Sequence, residues 1–274
     1  MKKEQDSLGN RMKDYESVSK NRMTRRSPVI IRCDGKAFHN FCKRFERPYD
    51  KFFNDCMNAV MVKLCSEIQG AKYGERHSDE ISILVTDYDK VTTDAYFDYE
   101  VQKIVSVVAG MATAELCRHL AIKEREYETC SKNFDEIYTK RHVISWNESW
   151  PVFDCRCFNI PKEEISNYFW WRMLDAKRNS INMMAQSLFS HKQLQGKTCD
   201  EMQELLFSEK GINWNDVYQG QKAGFCCYKV VEKRVVEQGP NEGQEFERRV
   251  WNIEPSVASK SELDGLLHMV LNPV

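Results

Sequence analysis

The chain has almost no net charge: 40 Lys and Arg face 41 Asp and Glu, leaving −1 at neutral pH. Composition therefore gives no global case for binding nucleic acid, and any basic surface has to be local. None of the 11 cysteines forms a CxxC pair, which sets aside the commonest zinc and redox motifs. Cys155 and Cys157, like Cys226 and Cys227, sit in apolar, strand-like runs. They read as buried free thiols of a reducing compartment rather than a disulfide framework. No apolar run reads as long enough to cross a bilayer, and Met1-Lys2-Lys3-Glu4-Gln5-Asp6 is too charged for a secretory leader. Internal repeats and low-complexity tracts are missing as well. These absences point to a soluble, cytoplasmic protein with no membrane partner. The apolar share of 42% is ordinary, and 274 residues fit one large domain or two small ones.

What is present is organised around Ile30-Ile31-Arg32-Cys33-Asp34-Gly35-Lys36-Ala37-Phe38-His39. The apolar run from Val29 reads as a buried strand that ends in a carboxylate, Asp34. Gly35 then permits a sharp turn and close backbone approach. Downstream, Tyr73-Gly74-Glu75-Arg76-His77-Ser78-Asp79-Glu80-Ile81-Ser82 reads as strand, tight turn with two acids, strand. Carboxylates brought together from a strand end and a hairpin make a hard-oxygen site suited to Mg²⁺. Two such ions clamp the attacking and leaving oxygens of a phosphoryl transfer. The Gly35 carbonyl can add a ligand, the amides of Lys36 to His39 can cradle a triphosphate, and Lys36 can neutralise phosphate charge. Glu80 is either a third acid near the metals or the structural partner of a basic residue.

The rest of the chain frames this site. Leu8, Met12, Tyr15 and Val18 predict a modest amphipathic helix over 4–24, followed by Arg22, Arg25 and Arg26. Pro48 and Asp50 open a helix whose apolar stripe runs from Phe52 to about Ile68, with Gly70 ending it. A second helical pattern covers 96–121, with His119 packed or capping near its end, and the charged stretch 122–149 reads as an irregular surface insertion. A strand over 152–161, a helix to Leu188, a short helix Cys199–Phe207 and strand-like runs at 223–236 and 246–253 follow. Gly239-Pro240-Asn241-Glu242-Gly243 predicts a hairpin turn, and Leu263 to Val274 a weak helix or tail. The order βαββα plus a further strand is the ferredoxin-like split unit, which also builds polymerase palms. The predicted fold is α/β of the α+β kind. It has a βαββαβ palm-like catalytic core over 1–160, and a helical and β-hairpin region over 161–274 packs on it.

At these residues the sequence resembles the tRNA-His guanylyltransferase superfamily. The matches are Arg32-x-Asp34-Gly35-Lys36-x-Phe38-His39, Arg47-Pro48-Tyr49-Asp50 and Tyr73-Gly74 leading into Ser78-Asp79-Glu80-x-Ser82. Further on come Phe153-Asp154-x-Arg156-x-Phe158, Trp171-Arg172-x-x-Asp175 and Leu206-Phe207-Ser208-Glu209 with Gly211-Ile212-Asn213-Trp214. One departure is the three residues between Gly74 and Ser78, where one or two are expected. The resemblance implies a polymerase-like palm that adds nucleotides to tRNA 5′ ends in the 3′-to-5′ direction. It implies Asp34, Asp79 and Glu80 as catalytic acids, with Asp34, Asp79 and the Gly35 carbonyl as ligands of two Mg²⁺ ions. Asp34, Gly35, Lys36, Ala37, Phe38, His39, Ser78 and Asp79 would surround the nucleotide. ATP first adenylylates a tRNA 5′-monophosphate, and the 3′-hydroxyl of GTP or another nucleotide then attacks and expels AMP. Family members are commonly tetramers.

Eukaryotic guanylyltransferases typically carry a His and paired Asn after the Trp-Arg-x-x-Asp block. Here the run is Asp175-Ala176-Lys177-Arg178-Asn179-Ser180, which resembles the guanylyltransferase-like branch that repairs truncated tRNA by templated addition. Lys177, Arg178 and Asn179 are candidate RNA contacts, and Arg22, Arg25, Arg26, Lys140 and Arg141 are others. The bland reading of all these cations is a solvated helix face. Three rival functions remain at this point: addition of a single G to tRNA-His, a palm-type nucleotide cyclase, and a catalytically silent RNA-binding module.

Overall fold

The computed structural model describes residues 2–130, 150–235, 237–238 and 243–272. The predicted turn residues 239–242, the cations Lys140 and Arg141 and residues 131–149 of the expected insertion lie outside the described residues. Six antiparallel strands form one sheet: β1 (Val29–Gly35), β2 (Ala71–His77), β3 (Glu80–Val85), β4 (Phe153–Asn159), β5 (Phe225–Val235) and β6 (Glu245–Pro255). Their order is β4-β1-β3-β2-β5-β6. The first four strands have the ferredoxin-like order of a palm, and the β5–β6 hairpin adds to the edge at β2.

Alternation along the strands decides which helices cover which face. Val29, Ile31 and Cys33 of β1 bury against helices α3 (Lys51–Glu67) and α4 (Val101–Cys130). Ile30, with Tyr73 and Leu84, faces the opposite side, where α5 (Ile165–Leu188) and α9 (Lys260–Leu271) pack. Further along that second face the same alternation places Arg32 and Asp34. A sheet covered on both faces thus stays apolar over most of its length and turns polar at one end. The remaining helices are α1 (Lys2–Ser17) and α2 (Phe38–Phe41), and α6 (His191–Leu194), α7 (Cys199–Lys210) and α8 (Gln219–Ala223), which pack on α5. The C-terminal half of α5 joins α7 and Trp214 in a third apolar cluster.

Local chemistry explains several boundaries. Asp50 caps α3, accepting from the Phe53 and Glu46 amides at 2.8 Å each. The three residues before Ser78 continue β2. His77 pairs with Glu80 across a two-residue turn, so the added length does not disturb the hairpin. Two expectations need correction. Residues 122–130 are helical rather than irregular, since α4 runs on to Cys130. Of the two readings of the C-terminal stretch, weak helix or tail, the helix holds over Lys260–Leu271, starting earlier than expected: Ser259 and Glu262 form a reciprocal capping box at its start. The Val101–Ile122 segment is also long and apolar enough to cross a membrane by length and composition, contrary to the sequence reading. Its Ile104, Val108, Ala112, Leu116 and Leu120 are buried in the core beneath the sheet. Among the described residues the cysteines are free thiols, as expected.

Candidate active site

A cleft of about 840 Å³ opens at the polar end of the sheet. The end of β1, the β2–β3 turn, the segment after α2, and one face of α5 form its walls. Asp34, His39, Ser78, Asp79 and Glu80 line it, so most of the acids singled out in the sequence share one cavity. On the α5 wall, Arg172, Asp175, Asn179, Met183 and Gln186 recur at helical spacing.

Gly35 and Asp79 touch closely. A Cβ built on Gly35 would stand 2.6 Å from Asp79 Oδ2 and 2.4 Å from Phe38 Cγ, so only glycine fits. Burial, with the Asp34 charge adding to it, pushes the Asp79 carboxyl up to about 6. A carboxylate pair held together at such a cost fits a site that receives cations. The donors are hard oxygens, which suits Mg²⁺. Among the described residues no three His, Cys, Asp or Glu side chains form a ready cage. That also fits Mg²⁺, which takes one or two carboxylates and leaves other positions to phosphates and water.

Glu80 has its partners within the protein. Arg172 donates Nε to Oε1 and Nη2 to Oε2, both at 2.7 Å. Arg32 Nη2 reaches Glu80 Oε2 at 3.1 Å and Asp34 Oδ2 at 3.2 Å. A chain of charges thus runs Asp34–Arg32–Glu80–Arg172–Asp175. Glu80 therefore has the structural partner that the sequence left open, and it acts on Asp34 through Arg32. The pairing spans 92 residues, which no local pattern reveals.

Other predicted residues are placed less centrally. The Lys36 amide donates to the Val152 carbonyl at 2.8 Å, so a triphosphate cradle cannot draw on it. Ala37 has φ 55° and Ser78 φ 51°, two non-glycine residues in the left-handed region at the cleft. Phe38 belongs to an aromatic cluster with Phe41 and Phe153, ring centroids 5.2 and 5.0 Å away. Of the RNA candidates, Asn179 lines the cleft. Lys177 donates to the Ala258 carbonyl at 3.1 Å and lies 4.9 Å over the Trp170 ring, while Arg178 pairs with Asp175. Arg22 pairs with Asp98, and Arg25 reaches Asp87 at 2.8 Å. The Arg26 amide bonds Asp87 at 2.8 Å. The sequence marks Ser180 as a departure from the paired Asn but not its contacts: its buried hydroxyl meets Tyr49 Oη at 2.6 Å and accepts from Trp214 Nε1 at 3.1 Å. Sequence reading missed the buried Tyr73–Glu75–His77 ladder, in which Tyr73 Oη donates to Glu75 at 2.9 Å and Glu75 meets His77 Nε2 at 2.5 Å. Polar residues at alternate positions of β2 were the available signal.

A palm-type sheet with paired carboxylates at a strand end and a hairpin turn defines the class, a nucleotidyltransferase. The chain belongs to the tRNAHis guanylyltransferase (Thg1) family, whose model matches residues 9–161. A bacterial tRNA(His) guanylyltransferase (Thg1)-like protein solved in complex with ATP is similar in structure, at TM-score 0.78 and 34% identity, over 97% of this chain and 99% of that one. A bacterial Thg1-like protein in complex with GTP gives TM-score 0.74 and 31% identity over the same shares. The tRNA(His) guanylyltransferase of Saccharomyces cerevisiae is 28% identical, covering 72% of this chain and 80% of its own length. Enzymes of the family are generally metal-dependent.

Proposed function

We propose that this protein is a 3′–5′ nucleotidyltransferase that repairs 5′-truncated tRNA, choosing each added nucleotide by its pairing with the opposing strand. The observation that carries the reading is the state of the run after Asp175. Where eukaryotic guanylyltransferases carry His and paired Asn, this chain turns Lys177 toward Ala258 and Trp170 and buries Ser180 against Tyr49 and Trp214. Of those three positions Asn179 and Ser180 line the cleft and Lys177 does not. A protein that must read G and one particular tRNA needs reading groups, whereas a templated enzyme takes its choice from base pairing. The near-complete coverage by the bacterial Thg1-like structures supports the same branch.

In this reading the cleft takes ATP and GTP, as the bacterial Thg1-like relatives do in their complexes. Asp34, Asp79 and the Gly35 carbonyl would hold two Mg²⁺ ions, which supply charge neutralisation to the phosphates and polarise the attacking oxygen. The oxygen of the tRNA 5′-monophosphate attacks the α-phosphate of ATP and pyrophosphate leaves. The 3′-hydroxyl of the incoming nucleotide then attacks the activated 5′-phosphate and AMP leaves. Arg172 and Arg32 hold Glu80, and Arg32 in turn holds Asp34 at the site. The close approach of Gly35 keeps Asp79 against the β1 turn.

The test varies the template base opposite the missing position in a truncated tRNA and reads which nucleotide is incorporated. Incorporation should follow the template. Addition of G whatever the template would favour the second reading, a tRNA-His guanylyltransferase, which the yeast relative supports. Cyclic product from ATP or GTP alone would favour a cyclase.

A further inference from the structure

Arg76 is the largest fully buried side chain among the described residues, 1% exposed, and it lines the cleft. Among the described residues its guanidinium makes only neutral bonds. Nε donates to Asn58 Oδ1 at 2.9 Å, and Nη1 to Asn54 Oδ1 at 3.0 Å and to the Ser78 carbonyl at 3.1 Å. Nη2 is buried with no partner, and the Phe225 ring centroid lies 5.1 Å from the guanidinium carbon. Among the described residues no carboxylate ion-pairs with it. Burial pulls its pKa down to about 10, against the charges of Asp55 and Asp79, so it stays protonated at neutral pH.

Burying a cation this way is costly, and an apolar side chain of the same volume would serve the core better. What such a side chain cannot supply is hydrogen bonds, and together the three tie the carbonyl of Ser78 to Asn54 and Asn58 of α3. Ser78 is held in the left-handed region, φ 51°, a conformation that persists only when the surroundings impose it. The next residue is Asp79.

We propose that Arg76 is a positioning residue that holds the Ser78–Asp79 turn through the Ser78 carbonyl, so that the Asp79 carboxylate stands against Gly35 at the metal end of the cleft. The inference rests on the reading of Asp34 and Asp79 as the metal-holding pair. Three elements converge on this guanidinium: Asn54 and Asn58 from α3, Ser78 from the turn, and Phe225 from β5. The β5–β6 addition to the palm thereby buttresses the catalytic hairpin.

The experiment titrates Mn²⁺ into the full-length protein with ATP present, read by the paramagnetic resonance of free Mn²⁺, alongside urea denaturation. Arg76→Met should weaken Mn²⁺ binding by about tenfold or more, the usual effect of losing a group that orients a ligand. Urea denaturation should show a cooperatively folded variant, because removing an unpaired buried charge offsets the three lost hydrogen bonds. With tRNA, kcat should fall while KM for the RNA holds. Arg76→Lys keeps the charge but cannot span Asn54, Asn58 and Ser78 together. It should weaken Mn²⁺ binding severalfold, and it carries the test if the Met variant fails to fold. Wild-type Mn²⁺ affinity in either folded variant would overturn the proposal. Asp79→Asn separates the two claims. If it abolishes Mn²⁺ binding while Arg76→Met retains it, only the role of Arg76 fails. If it leaves binding unchanged, the metal reading fails and takes this inference with it.

Discussion

Replacing Asp79 by Asn should make the metal-free protein more stable while removing its activity. The carboxyl is pushed from 3.8 to about 6 in the folded state, by burial first and by Asp34 next. An acid whose folded pKa lies above its unfolded value stabilises the fold only while protonated. That contribution is fully present below pH 3.8 and is lost as pH rises through about 6. The shift of about 2 units corresponds to ~3 kcal/mol. Asp79 keeps some contact with solvent, so about 2 kcal/mol is the sounder expectation at pH 8. Asn has the same shape and carries no charge. At pH 8 in chelator, Asp79→Asn should therefore raise Tm by about 4–8 °C for a chain of this size. Between pH 5 and pH 8 the wild type should lose stability that the variant keeps. Mg²⁺ should then stabilise the wild type and leave the variant nearly unmoved, because the ion offsets the same repulsion that Asn removes. Thermal melts in chelator and in Mg²⁺ at both pH values measure all of this. A variant less stable than wild type at pH 8 without metal, or an equal response of both proteins to Mg²⁺, would refute the argument.

Three further outcomes follow from the geometry. Gly35→Ala should abolish nucleotide addition, since its Cβ would enter the space of Asp79 Oδ2 and Phe38; single-turnover assays with folded variant check this. Arg172→Met should cost about 3 kcal/mol in urea denaturation, because Glu80 loses both of its 2.7 Å bonds and keeps only Arg32. Lys177→Ala and Arg178→Ala should leave the salt dependence of tRNA affinity unchanged, as both side chains are committed within the protein; a slope flattened by about one unit each would restore them as phosphate contacts.

The acids of the cleft were legible because strand and turn chemistry are local. An apolar run ending in Asp34-Gly35, and Ser78-Asp79 between two strand patterns, announce themselves within a few residues. The ferredoxin-like order was legible for the same reason, since each of its elements carries its own period. What stayed hidden depends on residues far apart in sequence. Glu80 finds Arg172, Ser180 finds Tyr49 and Trp214, and Arg76 is buried by α3 and β5 together. In a linear reading Arg76 looks like any charged residue beside a turn. The addition of β5 and β6 at the β2 edge was equally hidden, because strand patterns do not name their neighbours. The length of α4 and the start of α9 were different cases. The charged run after Ile122 reads as an irregular insertion although the helix continues through it, and the Ser259–Glu262 capping pair was present in the sequence but not used.

The central claim is metal-dependent growth of an RNA chain at its 5′ end. A tRNA lacking its first 5′ nucleotide, supplied with ATP, labelled nucleotides and Mg²⁺, tests it most directly. The wild type should extend the 5′ end, and Asp34→Ala should lose at least ~10³-fold in rate, as expected when a ligand shared by both ions is removed. Label absent from the 5′ end with the wild type, or extension by Asp34→Ala at a near-normal rate, would contradict the account.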